Sequence, residues 1–242
     1  MKTNRSFLIL ALLSLILTSC TVETIGITVD DEVTTKSISL SDYSEIEISH
    51  DFNAYVTFSD TEERIEIEAN DKLHQHIIAK KSDNTLIIKL KNNINIKGKE
   101  TLNVYITTKS ITSFSASADS KITLENPLVA EDVSIKLSAD SDFSGEVNVE
   151  DMDLRGAADT RIDLFGTVKN LDANLSADSK LLNYDLEVTN LKIKMAADCD
   201  AYLTVTGTID VDAVADCDLY YKGNASITRQ RLISDSRIIK TD

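Results

Sequence analysis

Apolar and polar residues alternate with a period of two along the first half of the chain. The clearest apolar positions of this alternation are Ile46 and Ile48; Ala54, Val56 and Phe58; Ile65 and Ile67; and Leu102, Val104 and Ile106. Because side chains alternate across a β-strand, a period of two predicts strands with one buried face. The pattern therefore predicts an N-terminal β-rich block over residues 36–110, with one helical turn from Asp71 to His76 and little other helix.

The second half, residues 111–242, is a repeat with the same internal period. A tripeptide of the form Ala-Asp-Ser recurs seven times, with its aspartates at Asp119, Asp140, Asp159, Asp178, Asp198, Asp216 and Asp235. These aspartates are 21, 19, 19, 20, 18 and 19 residues apart. A nearly constant step of this size indicates a solenoid, in which each unit buries its apolar face against its neighbours. We expect an all-β fold: a parallel, right-handed β-helix of about seven coils that is built onto the N-terminal block.

The columns of this repeat predict which side chains are buried. Counted from each Asp, the positions five before, three before and three after are mostly apolar, and the position four before is mostly polar. Odd positions are therefore predicted to face inward. By the same parity, the Ala one before and the Ser, Thr or Cys one after should both be small inward residues at a corner.

The N-terminus indicates export. Lys2 and Arg5 precede an apolar run, Phe7 to Leu17, which is too short to span a bilayer but suits the core of a signal peptide. The run ends in Leu-Thr-Ser-Cys, which has the form of a bacterial lipobox. We therefore expect a signal peptide at 1–19, a lipidated Cys20 and a tether over 20–35. The alternative is an ordinary signal peptide that contains a cysteine.

Composition narrows the function. The formal net charge is -15, with 40 acidic and 25 basic residues. This charge argues against binding to nucleic acid or to an anionic membrane surface, so the membrane contact would be the lipid anchor alone. We find no nucleophile elbow, zinc motif or phosphate loop, and the three histidines all precede residue 80.

The aspartate column gives a candidate cation site. Stacked coils lie ~4.8 Å apart, so a ladder of carboxylates must be solvated, protonated or neutralised. Cations two positions after an Asp can pair with Asp119, Asp159, Asp178 and Asp235. In contrast, Asp198, Asp200, Asp216 and Asp218 have no cation in either column, and four carboxylates could bind Ca²⁺. The alternative is that each Asp bonds its own corner and faces water, in which case no cofactor is needed.

Two further features of the repeat are candidates for chemistry. Cys199 and Cys217 occupy the same inward column of successive coils, at a spacing that a disulfide accepts; they could equally be small buried fillers. Four positions after each Asp, an outward column turns apolar in its last four members: Leu182, Tyr202, Tyr220 and Ile239. We call these four residues the stripe. Exposed apolar patches tend to mark interfaces, so the stripe is a candidate face for a partner or for self-association. The alternative is that a shift of parity or a folded-back segment buries it.

The tetrapeptides Ser117-Ala118-Asp119-Ser120, Ser138-Ala139-Asp140-Ser141 and Ser176-Ala177-Asp178-Ser179 resemble a known family. It is that of the putative auto-transporter adhesins with a head GIN domain, common as lipoproteins in Bacteroidetes, and the resemblance covers roughly residues 36–240. Ala and Asp stand where that family has Gly and a small residue. Since Ala disfavours φ > 0, the substitution argues against a left-handed backbone at the corners.

The resemblance implies adhesion and carries over no catalytic residues. We therefore expect a non-catalytic, lipid-anchored envelope module, at the outer membrane, that binds a glycan or protein. Whether it faces the cell surface or the periplasm, and its oligomeric state, stay open. The alternative is a polysaccharide-processing enzyme that uses the Asp cluster with Ca²⁺. With no coil longer than 21 residues, little chain is left to build the walls of a cleft, which favours the binding module.

Overall fold

The computed structural model describes residues 24–242, which are nearly all strand. Residues 1–23, with the predicted signal peptide and Cys20, lie outside this range. The strands are β1 (Ile25–Thr28), β2 (Val33–Ile38), β3 (Glu45–Ser49), β4 (Asn53–Phe58), β5 (Arg64–Asn70), β6 (Ile77–Ser82), β7 (Thr85–Leu90), β8 (Ile94–Lys97), β9 (Leu102–Thr108), β10 (Ser113–Ser117), β11 (Lys121–Leu124), β12 (Leu128–Ser138), β13 (Asp142–Ala157), β14 (Arg161–Ser176), β15 (Lys180–Leu182), β16 (Leu186–Ala196), β17 (Asp200–Val214), β18 (Asp218–Lys222), β19 (Ser226–Ile233) and β20 (Arg237–Lys240). A 3₁₀ helix, Asp71–His76, is where the sequence predicted a helical turn.

The repeat region forms the predicted parallel stack. β12 pairs with β13, β13 with β14, and β14 with β15 and β16, all parallel and each one coil further along the chain. β17 and then β18, β19 and β20 complete the stack. The prediction of a parallel β-solenoid of about seven turns is confirmed.

The core lies inside these coils, and the inward columns fill it. Phe114, Ile135 and Leu154 stack in register at the position five before the Asp and are fully buried. Phe143 and Ile162 do the same three after it. The rings of Phe114 and Phe143 pack edge to face across the interior, at 5.2 Å between centroids. A coil of this size cannot bury these residues alone, so the stack is what makes the core.

The N-terminal block continues the same stack. β3 pairs in parallel with β10, and β4 with β11; β7 and β9 follow as the next parallel strands on the two sides. Beyond them the pairing becomes antiparallel, because β6 joins β7 while β5 joins β9 and β2 joins β5. The 3₁₀ helix links β5 to β6 and buries Leu73 completely. These strands and the helix cover this end of the solenoid.

The C-terminal end is built differently. β19 pairs only with β17, and β20 only with β18, so each has a free edge. Leu232 and Ile238 occupy inward columns but are only half buried. Gln230 stands opposite the core residue Val211. The last coil is thus partly exposed and carries a polar residue in place of an apolar one. None of the helices among residues 24–242 is long and apolar enough to cross a membrane.

Candidate functional site

The corners at the Ala-Asp pairs have a left-handed backbone. In the seven copies the residue before the Asp has φ between 50° and 64°, and the Asp between 57° and 62°. Each residue of such a pair costs roughly 1–2 kcal/mol relative to a right-handed conformation. The pair is held because both N–H groups bond to the next coil: Ala139 N donates to Ala157 O at 3.1 Å, and Asp140 N donates to Ala158 O at 3.0 Å. The expectation against left-handed backbone here was wrong.

The Ala column was also predicted inward, and this too was wrong. Ala139, Ala158, Ala177 and Ala197 are exposed. Two successive left-handed residues turn the chain, so the alternation of a strand does not continue through them. Only the residue after each Asp points inward. At Ser120 and Ser179 the hydroxyl closes the corner by donating to the carbonyl three residues earlier, that of Ser117 and Ser176, both at 2.7 Å.

Gly156 breaks its otherwise apolar inward column, and the structure supplies a reason. Its own corner carries Thr160, which is larger than the Ser of the neighbouring coils. A Cβ on Gly156 would lie 2.5 Å from Thr160 Oγ1, well inside any normal contact. The missing side chain therefore makes room for the threonine.

Sequence reasoning missed an eighth corner in the N-terminal block. His50 and Asp51 have φ of 65° and 62°, and Asp51 N donates to Ala118 O at 3.0 Å. A signal was present, because Ile46 and Ile48 stand five and three before Asp51. Burial is the largest cause that raises the pKa of Asp51, followed by the nearby carboxylates of Asp119 and Glu100. The corner ladder of carboxylates thus begins one coil earlier than the repeat indicated.

The predicted cation cluster does not assemble around a metal position. Asp200 pairs with Lys180 at 3.3 Å. Asp218 is almost buried and accepts two hydrogen bonds from the guanidinium of Arg237 and one from the Tyr220 hydroxyl at 3.0 Å. The Arg237 hydrogen bonds lower the pKa of Asp218 below its ordinary value of 3.8.

The remaining two members, Asp198 and Asp216, are exposed corner residues. Within residues 24–242, no group of three or more His, Cys, Asp or Glu side chains is arranged to hold a metal ion. Lys180 and Arg237 thus pair with Asp200 and Asp218, which stand two positions after a corner Asp, and not with the corner aspartates themselves. The proposed pairing of cations with Asp119, Asp159, Asp178 and Asp235 is not found among the ion pairs of the described residues.

Cys199 and Cys217 are both buried and are free thiols. Their sulfurs take the place of the corner hydroxyls: Cys199 Sγ bonds to Ala196 O at 3.4 Å, and Cys217 Sγ to Val214 O at 3.3 Å. Burial raises the pKa of Cys199 to about 11. Of the two alternatives, the structure shows the small buried filler and not the disulfide.

The stripe forms in register and stays half exposed. Tyr202 lies opposite Tyr220, and Tyr220 opposite Ile239. The rings of Tyr202 and Tyr220 stack at 4.7 Å with an interplanar angle of 1°, while the rings of Tyr184 and Tyr202 are nearly perpendicular, with centroids 5.9 Å apart. Parallel stacking along the solenoid means that the rings present their edges to solvent. One face of each of the two rings is therefore covered by the other ring.

A groove runs along another side of the solenoid, where β12, β13, β14, β16 and β17 bend. Its volume is about 630 Å³. One wall, the first rail, is an outward column of five residues in register: Asp132, Asp151, Asn170, Asn190 and Thr208. The second rail lies two positions further along each coil: Ser134, Asp153, Asp172, Lys192 and Asp210. Between the rails lie Val133, Met152, Leu171 and Leu191, which are core residues and only 1–4% exposed.

Hydrogen bonds between coils hold the first rail. Asn170 Nδ2 donates to Asp151 Oδ1 at 2.8 Å, Asn190 Nδ2 donates to Asn170 Oδ1 at 2.9 Å, and Thr208 Oγ1 donates to Asn190 Oδ1 at 2.9 Å. All three bonds point toward the N-terminal end of the stack. Four coils are thereby locked to one another, and the groove keeps its shape. Sequence reasoning did not find this groove. A signal was present, because Asp132, Asp151, Asn170 and Asn190 follow one another at intervals of one coil.

Ion pairs hold the second rail. Lys192 Nζ lies 2.6 Å from Asp172 Oδ2, and Arg155 Nη2 lies 2.9 Å from Asp153 Oδ2. Arg229 Nη1 lies 3.0 Å from Asp210 Oδ1. Each of these aspartates has one carboxylate oxygen engaged by a cation of the chain itself.

A parallel β-solenoid with a ligand-sized groove on one side, and with no long loops within residues 24–242, defines a class of elongated repeat proteins. Within that class, the family described as putative auto-transporter adhesin, head GIN domain, matches residues 42–225, and the chain belongs to this family. The resemblance drawn from the corner tetrapeptides is thereby confirmed.

Solved structures share the fold. A putative adhesin from Bacteroides fragilis has a TM-score of 0.79 at 18% identity, covering 89% of this chain and 99% of that one. A putative lipid binding protein from Parabacteroides distasonis has a TM-score of 0.74 at 16% identity, covering 90% and 100%. A putative adhesin from Parabacteroides merdae has a TM-score of 0.70 at 16% identity, covering 90% and 99%. No curated protein matches the sequence.

Proposed function

We propose that this protein is a non-catalytic, lipid-anchored module of the cell envelope that binds a partner through the side of its solenoid. The groove carries the proposal: an open channel between two polar columns, held by hydrogen bonds and ion pairs between successive coils, with a volume of about 630 Å³. Pockets of this size commonly bind ligands. The family, whose members are described as adhesins, supports a binding function.

The groove supports binding better than catalysis. Its acids lie on two straight columns, and the three aspartates of the second rail that follow Ser134 are each tied to a lysine or arginine. A general acid needs a raised pKa and a position opposite a base or nucleophile. We therefore do not propose the alternative of a polysaccharide-processing enzyme.

Adherence of whole cells tests the function. Cells that carry the full chain are compared with cells that carry an empty vector, on surfaces coated with bacterial envelope material. We expect the full chain to increase the number of retained cells. Equal retention with and without the protein would overturn the adhesin-like function.

Anchoring is tested separately at Cys20. Cells fed an alkyne-tagged fatty acid should label the full chain and retain it in the membrane fraction, because two or three acyl chains hold a protein firmly. Cys20→Ser should lose the label and leave the membrane fraction. If Cys20→Ser is labelled as strongly as the parent, the lipobox interpretation is wrong. Fractionation of inner and outer membranes then tests the outer-membrane location.

The stripe of Leu182, Tyr202, Tyr220 and Ile239 remains a second candidate surface. Its half-exposed tyrosines combine a large apolar ring with a polar tip, which suits a protein interface, so a second copy or another protein is the partner that it would bind. The test is a Tyr202→Ser, Tyr220→Ser double variant of the chain lacking residues 1–20. If the folded variant keeps the parent's oligomeric state and adherence, the stripe is not the interface.

A further inference from the structure

The N-terminal end of the solenoid is basic, although the chain as a whole is acidic. Residues 71–100, which form the helix, β6, β7 and β8, contain seven lysines and three acidic residues, a formal charge of +4 against -15 for the whole chain. Residues 24–38, with β1 and β2, add three acids and one lysine, and the two segments together still carry +2. Charges more than about 8 Å apart are largely screened at physiological ionic strength. A surface beside this end therefore meets its local charge and not that of the distant coils.

Strand pairing gathers the lysines of this end. In the antiparallel pair of β6 and β7, Lys80 stands opposite Ile87. Lys89 stands opposite Ile78, so both lysines lie on the outer face of the pair beside two half-buried isoleucines. β8 follows β7 in the chain and pairs with β1, which holds Lys97 opposite Thr28. The name lysine patch is used below for the six lysines of these strands and of the residues that directly follow them: Lys80, Lys81, Lys89, Lys91, Lys97 and Lys99.

The chain does not neutralise the lysine patch. Within residues 24–242, the only lysine of the segment 71–100 that forms an ion pair is Lys72, which lies 3.4 Å from Asp30 and is not part of the patch. Lys91 Nζ donates to the carbonyl of Gln75 at 2.8 Å, a bond that leaves its positive charge unbalanced. At the opposite end, in contrast, each arginine of the last coil is paired with an aspartate of the coil below: Arg229, Arg231 and Arg237. The two ends thus differ in the charge that they offer to a partner.

The proposed anchor brings the lysine patch to a membrane. Cys20 precedes Ile25, the first residue of β1, by five positions. An extended chain spans at most about 3.6 Å per residue, so a lipidated Cys20 keeps β1 within roughly 18 Å of the membrane surface. Because β1 pairs with β8, the patch begins beside the anchor. Ile25 itself is 57% exposed, and an apolar side chain among lysines suits the boundary between headgroups and acyl chains.

We propose that the lysine patch binds the anionic lipid headgroups of the membrane that holds the anchor. The N-terminal end of the solenoid then rests on the membrane, and the C-terminal coil points away from it. Lysines close to an anionic leaflet each strengthen binding, and a basic patch reinforces an acyl anchor. The location of the membrane rests on the proposed anchor at Cys20, whereas the charge of the patch does not. Net charge alone predicted no contact with an anionic surface, because it averages over a chain whose positive charge is concentrated at one end.

The experiment measures co-sedimentation with lipid vesicles at about 0.15 M salt. The protein is residues 24–242, which contain β1 to β20 and lack Cys20. The vesicles are phosphatidylcholine alone or phosphatidylcholine with phosphatidylglycerol, and poly-glutamate is the soluble polyanion. Lys80→Glu with Lys81→Glu reverses two exposed charges of the lysine patch.

The matched control is Lys136→Glu with Lys194→Glu. Both of these lysines are exposed, and they lie on β12 and β16 in the middle of the stack. The control therefore changes the net charge by the same amount but leaves the patch intact. Circular dichroism and melting curves show that both double variants fold.

We expect the parent and the control to bind the phosphatidylglycerol vesicles about equally and to ignore phosphatidylcholine, with an affinity that falls as salt is added. The patch variant should bind at least roughly tenfold more weakly. A parent that does not bind phosphatidylglycerol vesicles, or that binds both kinds of vesicle alike, would overturn the proposal. So would equal binding by the two double variants. Tighter binding of the parent to poly-glutamate than to the vesicles would overturn it as well, because the ligand would then be an acidic chain.

Failure here is distinguishable from failure of the proposed function. Because residues 24–242 lack Cys20, their binding to vesicles does not depend on lipidation. If the patch fails, fatty-acid labelling of Cys20 and adherence of whole cells still test the anchor and the adhesin-like function. If the labelling fails instead, the anchor is wrong, and the patch keeps its affinity for anionic lipid.

Discussion

The two ends of the solenoid close in different ways. At the N-terminal end, antiparallel strands β6, β5 and β2 extend both sides of the stack, and the helix Asp71–His76 places Leu73 over the core. At the C-terminal end the coil pattern simply weakens, as Leu232 and Ile238 lose burial and Gln230 enters an apolar column. Repeat proteins need terminal units that protect the core from water. This chain meets that need with a non-repeating block at one end and with polar substitution at the other.

The two ends also protect their free strand edges with the same kind of side chain. Exposed edges can pair with other chains, and charged side chains discourage this. The outermost strand β6 carries Lys80 and Lys81, both exposed. The edge strand β19 carries Arg229 and Arg231, which pair back to Asp210 and Asp212 of the coil below at 3.0 and 2.7 Å. Basic residues therefore mark both ends of an acidic protein.

The largest predicted difference concerns apolar truncation at the two ends. Leu73→Ala removes a fully buried side chain and should lower the free energy of unfolding by about 2–5 kcal/mol. Leu232→Ala, its counterpart at the open end, should cost less than about 1 kcal/mol, because the side chain is already half in water. Urea denaturation measures both. Equal losses would mean that the C-terminal coil is covered in solution.

A second difference should be visible without mutation. The amides of β19 and β20 lie in the terminal, one-sided coil, whereas β14 is paired on both sides. Local opening of the terminal coil should therefore need a free energy a few kcal/mol lower than that of the central coils. Native-state hydrogen exchange measures this opening for each strand. If β19 and β14 exchange at the same rate, the stack unfolds as one unit and the open end is not weaker.

The third prediction concerns the ion pair that holds the last coil. The lowered pKa of Asp218 means that its bonds to Arg237 stabilise the fold above the unfolded-state value of about 3.8, and that this stability is lost as the pH falls through the lower folded-state value. Arg237→Ala should therefore reduce stability at pH 7. The deficit should begin to shrink below about pH 3.8 and should vanish only once the pH has fallen below the lowered pKa of Asp218 in the folded parent, where the carboxyl is neutral in both proteins.

Urea denaturation between pH 7 and pH 3 checks this prediction. Arg229→Ala is the control, because its ion pair with Asp210 is more exposed than that of Asp218. It should change stability little at any pH. A deficit for Arg237→Ala that stays constant with pH would show that the arginine acts by packing and not by its charge.

The smallest predicted effect tests what the two ends share, namely the left-handed corners that run from His50 to Ser234. Ala158→Gly removes the cost of φ 61° at an exposed corner and should raise the free energy of unfolding by about 0.5–1 kcal/mol. Ala157→Gly, one residue earlier on β13, should lower it by a similar ~0.5–1 kcal/mol. Thermal and urea unfolding give both values. If both variants change the free energy of unfolding in the same direction, the left-handed backbone at Ala158 is not strained.

The sequence by itself determined the coil. A period of two sets which side chains can share a face, and a step of 18 to 21 residues sets which positions can stack, so the apolar columns through Phe114 and Phe143 were predictable. The same reasoning gave the small residue after each Asp, and the corner tetrapeptides led to the family. All of these follow from local alternation plus a constant spacing.

Tertiary structure decided everything that depends on how coils bend and meet. The exposure of Ala158 came from two left-handed residues that interrupt the alternation, which no count of parity contains. The eighth corner at Asp51 was hidden because Asp119 comes 68 positions later in the chain, after the strands that cover the N-terminal end of the solenoid. The partner of Asp218 and the two rails of the groove depend on which outward side chain of the next coil lies within reach. That is set by the bend of the strands in three dimensions, whereas the sequence pattern fixes only the face on which each side chain lies.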